Sequence, residues 1–168
     1  MLSAVKFIGL LFFIFLLVVL QTSWPLFPRQ LSLVFILVMV LFLAGFSSWA
    51  WLSVIIGGLF LDLYSIFPPG LFCLSLVCSL AIFNKIVRKF NITSGKGFLA
   101  SGLGGALIYK INILFFSYLF YFLKFSNYYI ILNKFYWFDL IWFMVLSASF
   151  IFVITLGFKI IKRKAHLI

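Results

Sequence analysis

The sequence predicts an all-α integral membrane protein, a single polytopic domain over residues 1–168 with six transmembrane helices. Composition is the first observation, because 67% of the residues are apolar and only 9% are charged, against about 25% charged in soluble domains. The mean hydropathy is +1.33. The second observation is that long apolar runs recur along the chain between short turns and polar segments. The third is that basic residues concentrate outside these runs.

The net charge of +11 does not indicate a nucleic-acid partner, because the thirteen basic residues are scattered between apolar runs and form no continuous face. Cys73 and Cys78 lie five positions apart in one apolar run, on different faces of a helix, so they cannot form a disulfide with each other. Two cysteines without histidine also make no metal site. We therefore expect the lipid bilayer as a partner, and no nucleic acid, cofactor or metal.

The apolar runs give the predicted helix bounds. The first run could be a signal peptide, but the residues after it match a cleavage site poorly, so we predict a retained helix followed by an interfacial connection at Trp24 and Pro25. The tight connections at 45–48 and 68–70 predict antiparallel neighbours. The predicted helices are residues 7–23, 31–44, 49–67, 70–83, 98–123 and 140–158, with a polar loop over 84–96 and a mixed loop over 124–138.

The distribution of basic residues predicts that both termini face the cytoplasm. With six spans, nine basic residues lie inside, three outside and one within a span; a five-span topology would place a basic cluster outside, against the positive-inside rule. The nine are Lys6, Lys85, Arg88, Lys89, Lys96, Lys159, Lys162, Arg163 and Lys164, the three are Arg29, Lys124 and Lys134, and the one within a span is Lys110.

Asp62 and Lys110 are ionisable residues inside apolar runs. Asp62 lies roughly 21 Å along the third helix from its inner end, and Lys110 roughly 18 Å along the fifth, so their depths agree within one turn. An unpaired charge at this depth costs a few kcal/mol, which favours an ion pair between the two residues. The alternatives are that Asp62 lies among the outer headgroups and that Lys110 snorkels. Asp139, the other acid, is predicted to cap the sixth helix.

The start of the fifth helix carries small residues at helical spacing. Gly97, Ser101 and Gly105 recur every four residues, as do Gly102 and Ala106. Small residues allow close approach of another helix in lipid, so this pattern predicts an interhelical face, most simply within the monomer. A phosphate-binding loop is not indicated, because no GxxxxGK[ST] pattern is present.

No catalytic constellation is visible in the sequence. The single histidine, His166, lies in a basic tail, no two acids are close in sequence, and no GxSxG motif occurs. The sequence therefore predicts that the protein is not an enzyme and has no catalytic or cofactor-binding residue.

The chain resembles the bacterial rod-shape-determining MreD family. The resemblance rests on Leu20-Gln21 followed by Trp24-Pro25, and on the pattern GxxLDLxSxxxxG. Its fixed residues are Gly58, Leu61, Asp62, Leu63, Ser65 and Gly70, and the break at Pro68-Pro69-Gly70 is interpreted as a structural hairpin near a partner's docking site. The detailed resemblance covers roughly residues 15 to 85. The chain departs from the family where Pro28 is followed by Arg29 and Gln30.

The resemblance implies a non-enzymatic scaffold of the cell-elongation complex in the bacterial inner membrane, supporting cell shape and peptidoglycan synthesis. Its expected partner is an MreC-like single-span coiled-coil protein, and through it the MreB-like cytoskeleton and the peptidoglycan synthases. The implied fold is similar to the six-helix S-component, the substrate-binding subunit of energy-coupling-factor transporters. A small-molecule-binding subunit of such a transporter is the alternative function, although residues 7–23 lack the small-residue repeats that those subunits use for docking.

Overall fold

The computed structural model describes residues 2–23, 32–90, 95–126 and 129–165, and these residues form six α-helices and no β-strand. The helices are α1 (Leu2–Ser23), α2 (Leu33–Leu43), α3 (Ser47–Leu63), α4 (Leu71–Phe90), α5 (Gly95–Phe122) and α6 (Lys134–Ala165). Each predicted helix therefore has a counterpart, and the all-helical class is confirmed. The predicted connection at Trp24 and Pro25, together with Arg29 and His166, lies outside the described residues.

Two segments of the described chain are long and apolar enough to cross a membrane, judged by length and composition. They are Ala100–Phe122 in α5 and Lys134–Gly157 in α6. The apolar parts of the other four helices are shorter, at 10 to 17 residues.

Helix ends that carry charged residues extend further than hydropathy predicts. The predicted polar loop over 84–96 is wrong for residues 84–90, which continue α4, and for Gly95 and Lys96, which begin α5. Helix α6 likewise begins six residues before the predicted start at 140 and ends at Ala165 rather than 158. Lysine and arginine are good helix formers, so the backbone ladder continues after the apolar run has ended.

Helix α3 ends earlier than predicted, at Leu63 rather than residue 67. Pro68 disfavours helical geometry at Phe67, the residue before it. In a continued helix its ring would also clash with the carbonyl group of Tyr64, four residues earlier. Tyr64 forms the C-cap, and its backbone N–H donates to the carbonyl oxygen of Phe60. The chain then turns through residues 64–70 before α4 begins.

Helix α2 lies at the centre of the bundle and contacts α1, α3, α5 and α6. Six of its eleven residues are buried. Ser32 caps it through a hydrogen bond from the Phe35 backbone N–H to the Ser32 hydroxyl oxygen, and the Leu33 N–H donates to the side chain of Gln21 on α1 at 3.0 Å. These contacts satisfy backbone donors that the start of a helix leaves free.

The other helices pack around α2 largely in chain order. Helix α3 packs against α4, α4 against α5 and α5 against α6, while α6 returns to α2 and α1 packs on α2 and α3. The largest fully buried side chains include Tyr109, Phe35, Phe83 and Phe143. The core is therefore built mainly of aromatic and branched apolar side chains from several helices.

Candidate functional site

The turn between α3 and α4 is held by the carboxylate of Asp62. Its Oδ1 accepts a hydrogen bond from the backbone N–H of Phe72 at 2.8 Å, and its Oδ2 accepts one from Cys73 at 3.2 Å. The backbone N–H of Gly70 also hydrogen-bonds to this carboxylate. The first N–H groups of a helix lack partners within the helix and carry partial positive charge. Asp62, which is only 7% exposed, therefore caps α4 from the end of α3.

Gly58 lets the two helices approach closely one turn before Asp62. A Cβ atom built on Gly58 would lie 2.6 Å from the Cα atom of Cys73, closer than real Cβ contacts allow. Because residues four apart share a helix face, Gly58 and Asp62 both face the start of α4. Cys73 meets both of them, through its Cα atom and its N–H.

The rest of the GxxLDLxSxxxxG pattern shapes the turn itself. The Ser65 hydroxyl donates to the carbonyl oxygens of Asp62 and Phe67 at 3.3 and 3.4 Å. Gly70 has a φ of +95°, a conformation that residues with a Cβ rarely adopt, and its carbonyl oxygen accepts from Leu74 at 2.9 Å as α4 begins. Pro69 is exposed. Gly70 lies directly before α4, at the position where a side chain would normally cap the helix. Since Gly70 has no side chain, the capping oxygens come from Asp62.

The predicted ion pair between Asp62 and Lys110 is wrong. The partners of Asp62 are backbone N–H groups, whereas the ammonium of Lys110 lies 4.6 Å from the ring centroid of Phe143 on α6. Lys110 also interacts electrostatically with Asp139, one turn before Phe143 on the same helix. The two residues lie at similar distances from the starts of α3 and α5, but that distance does not give the direction in which a side chain points.

The prediction that Asp139 caps the sixth helix is also wrong, because α6 begins at Lys134 and Asp139 lies inside it. The cap is Asn133, whose side-chain oxygen accepts from the backbone N–H of Tyr136 at 2.9 Å. Asparagine is a favoured N-cap residue. Asp139 instead interacts electrostatically with Lys110 of α5.

An aromatic cluster joins α2, α5 and α6 at the centre of the molecule. Phe35 and Tyr109 stack with ring centroids 4.9 Å apart and planes 9° from parallel, and Phe143 lies 5.8 and 5.9 Å from them. Tyr109 is 2% exposed, and its hydroxyl is hydrogen-bonded to the side chain of Ser32 at the start of α2. Sequence reasoning missed this cluster, since an aromatic residue in an aromatic-rich apolar run gives no distinguishing signal.

Helices α4 and α5 are joined by a polar contact within their apolar interface. The Asn112 amide donates to the hydroxyl oxygen of Ser79 at 2.9 Å, and the Ser79 hydroxyl donates to the carbonyl oxygen of Ser75. Ser75 and Ser79 are buried and lie four residues apart. That spacing, opposite an asparagine in an apolar run, is the signal that could have identified this contact.

The predicted small-residue face of α5 is divided between two environments. Gly102 lies against the backbone of Ala148 on α6, where a Cβ would be 3.1 Å from Cα, and Gly105 lies against Met39 on α2. Gly97 and Ser101 instead line an apolar cavity of about 280 Å³ between α4 and α5. Ser101 itself is buried. Only part of the stripe is therefore filled by neighbouring helices of the same chain.

Within residues 2–23, 32–90, 95–126 and 129–165, no group of three His, Cys, Asp or Glu side chains could hold a metal ion. The polar groups above hold helix ends and helix pairs together. The candidate site, which is defined by Gly58, Asp62, Ser65 and Gly70, is thus a structural hairpin between α3 and α4. Comparison with family models, curated proteins and solved structures gives no match to this chain.

Proposed function

We propose that this protein is a six-span membrane protein that acts as a non-enzymatic scaffold subunit of the bacterial cell-elongation complex. The observation that carries the proposal is the GxxLDLxSxxxxG pattern of the MreD family, whose fixed residues form one hairpin in this chain. Asp62, Ser65 and Gly70 all serve its geometry. A motif whose residues hold two helices together is more consistent with a scaffold than with an enzyme active site.

A membrane location for all six helices is supported by their surfaces. Large apolar side chains are exposed on the five helices that surround α2, among them Phe12 at 64%, Ile55 at 50% and Val153 at 66%. Soluble monomers rarely expose contiguous apolar patches beyond a few hundred Å². Helix α2 is shorter than the roughly 20 residues of a straight crossing, and its burial among four helices would shield its ends from lipid.

The proposed topology places both termini in the cytoplasm of a bacterial inner membrane, from the distribution of basic residues. In that topology the α3–α4 hairpin lies at the outer face. Leu63 and Ile66 beside Asp62 are 77% and 87% exposed. These side chains would meet the single transmembrane helix of an MreC-like partner, which would connect the scaffold with the MreB-like cytoskeleton and the peptidoglycan synthases.

A transport subunit, the other function that the resemblance suggests, needs a polar cavity for its solute. The described cavity between α4 and α5 is lined by apolar side chains, glycines and a single serine. The centre of the bundle is filled by the stacked rings of Phe35 and Tyr109. These features support the scaffold over the transporter.

Co-purification tests the proposal. The tagged chain is co-expressed with the MreC-like protein of the same genome, solubilised in mild detergent and captured. We expect recovery of the coiled-coil protein, and at least tenfold less recovery with Ile66→Lys. Phe122→Lys is the matched control, because Phe122 is an equally exposed apolar residue at the same outer face, at 83%. Recovery of an ATPase pair instead would contradict the scaffold and support the transporter.

A further inference from the structure

The cavity between α4 and α5 is an unfilled groove in the packing of the molecule. Its volume is about 280 Å³. Phe83 and Ile86 line it from α4, while Gly97, Ala100, Gly104 and Ile108 are among the residues that line it from α5. A Cβ built on Gly104 would meet no atom within 4 Å, so this side of α5 faces open space. The groove exists because small residues of α5 face large apolar residues of α4.

The dimensions of the groove match one leaflet of a bilayer. From Gly97 to Ile108 the helix rises roughly 16 Å, about half of the roughly 30 Å hydrocarbon core. One turn beyond Ile108, the hydrogen bond from Asn112 to Ser79 joins the two helices and closes the deep end. The groove therefore extends from the loop end of the α4–α5 pair to about the middle of a bilayer.

The charge near the open end of the groove indicates which kind of ligand it binds. The sequence places four basic residues, Lys85, Arg88, Lys89 and Lys96, in the last turns of α4 and the first turn of α5, and no acid between them. Lys85 is exposed. Cations at this depth attract the phosphate of an anionic phospholipid. An apolar groove of leaflet length, beside two helix ends whose sequences carry basic residues, matches one acyl chain and one phosphate.

We propose that this groove, lined by Phe83, Ile86, Gly97, Ala100, Gly104 and Ile108, binds one anionic phospholipid of the cytoplasmic leaflet. One acyl chain lies between α4 and α5, and the phosphate lies at the basic ends of the two helices. The inference rests on the proposed membrane topology and adds a specific ligand to it. Bound lipid would fill the gap that the small residues leave and fix the spacing of α4 and α5.

Native mass spectrometry of the full chain in detergent tests the site, with phosphatidylglycerol and phosphatidylcholine as probes. We expect one phosphatidylglycerol per chain, bound at least fivefold more tightly than phosphatidylcholine at low salt, since each nearby basic residue contributes roughly that factor. Raising the salt concentration should reduce this preference. Gly104→Leu, which fills the groove, should weaken phosphatidylglycerol binding at least tenfold.

Gly9→Leu is the matched control. Gly9 is exposed on α1 and a Cβ there meets no atom within 4 Å, so this variant adds the same bulk away from the groove and should bind lipid like the unmodified chain. Ala100→Leu is a second groove variant, for use if Gly104→Leu does not fold. Equal phosphatidylglycerol binding by the groove variants and Gly9→Leu would overturn the site, as would equal binding of the two lipids. A chain that is soluble without detergent would instead contradict the membrane topology itself.

Discussion

The carboxylate of Asp62 lies 2.8 Å from the backbone nitrogen of Phe72, ten residues later in the chain. This contact, with the 3.2 Å contact from the same carboxylate to Cys73, caps α4 with a side chain that belongs to α3. A cap supplied by a neighbouring helix does more than satisfy N–H groups, because it also fixes the position of one helix relative to the other. Asp62 thus links the two helices of the hairpin that Gly58, Ser65 and Gly70 also shape.

Replacing Asp62 with alanine should destabilise the chain by about 2 kcal/mol, because two backbone N–H groups lose their acceptor in a buried position. Asp62→Asn should cost less, since the amide retains one acceptor oxygen for Phe72. The free energy of unfolding, measured by titrating mixed micelles with a denaturing detergent, checks the order. Ser149→Ala is the control, because that exposed hydroxyl bonds only within its own helix. Equal stability of the Asp62 and Ser149 variants would refute the capping role.

Gly58→Ala should separate α3 from α4. The added Cβ would lie 2.6 Å from the Cα of Cys73, and a backbone atom cannot rotate away. We expect a loss of roughly 1–3 kcal/mol in the free energy of unfolding, as for other overpacked contacts. Gly9→Ala makes the same chemical change in α1 where the Cβ meets nothing. Its higher helix propensity should leave that variant equal or up to about 1 kcal/mol more stable. A neutral Gly58→Ala would show that the helices do not approach this closely.

The sequence predicts the positions of the helices well and their ends less well. Hydropathy locates the six helices because burial in lipid or protein needs apolar residues. It misplaces their ends because the backbone ladder continues through charged residues such as Lys85 and Lys134. An end of α3 before Phe67 was predictable from Pro68, since proline acts on the preceding residue and on the carbonyl group four residues back.

The sequence identified the residues of the candidate site but not the groups that their side chains contact. Asp62 stands out as an acid in an apolar run, but its acceptor role depends on a turn that brings Phe72 back to it. The predicted depths of Lys110 and Asp62 agree, yet the direction of each side chain depends on helix rotation and neighbours. Because α6 was predicted to start at residue 140, Asp139 was interpreted as its cap. Asp139 lies instead one turn before Phe143, on the face of α6 that meets Lys110.

Lys110 should be coupled to residues of α6 and not to Asp62. A double-mutant cycle of Lys110→Met and Phe143→Leu is expected to give a coupling energy of about 0.5–2 kcal/mol, because the ammonium lies 4.6 Å from the ring centroid. Exchanging the charges of Lys110 and Asp139 should recover part of the stability that either single reversal loses. The control cycle, Lys110→Met with Asp62→Asn, should be additive within about 0.5 kcal/mol. Rescue of a Lys110 reversal by reversal at Asp62 would contradict the contacts described above.

Lys124 has a φ of +61° at the end of α5, in the left-handed region. The N–H of Lys124 donates to the carbonyl oxygen of Tyr121 at 3.0 Å, and that of Phe125 to Phe120 at 2.9 Å. This is the hydrogen-bonding pattern of a Schellman motif, in which glycine is preferred at the left-handed position.

Lys124→Gly should therefore stabilise the chain by about 0.5–1 kcal/mol in the free energy of unfolding. Relief of the left-handed strain, about 1–2 kcal/mol, exceeds the entropy that glycine adds to the unfolded chain. Lys134→Gly is the matched control. It removes the same exposed charge at the first residue of α6, where the backbone is helical, so glycine should give no stabilisation there and cost up to about 1 kcal/mol. If both variants lose stability equally, loss of the lysine charge and not backbone geometry dominates at this helix end.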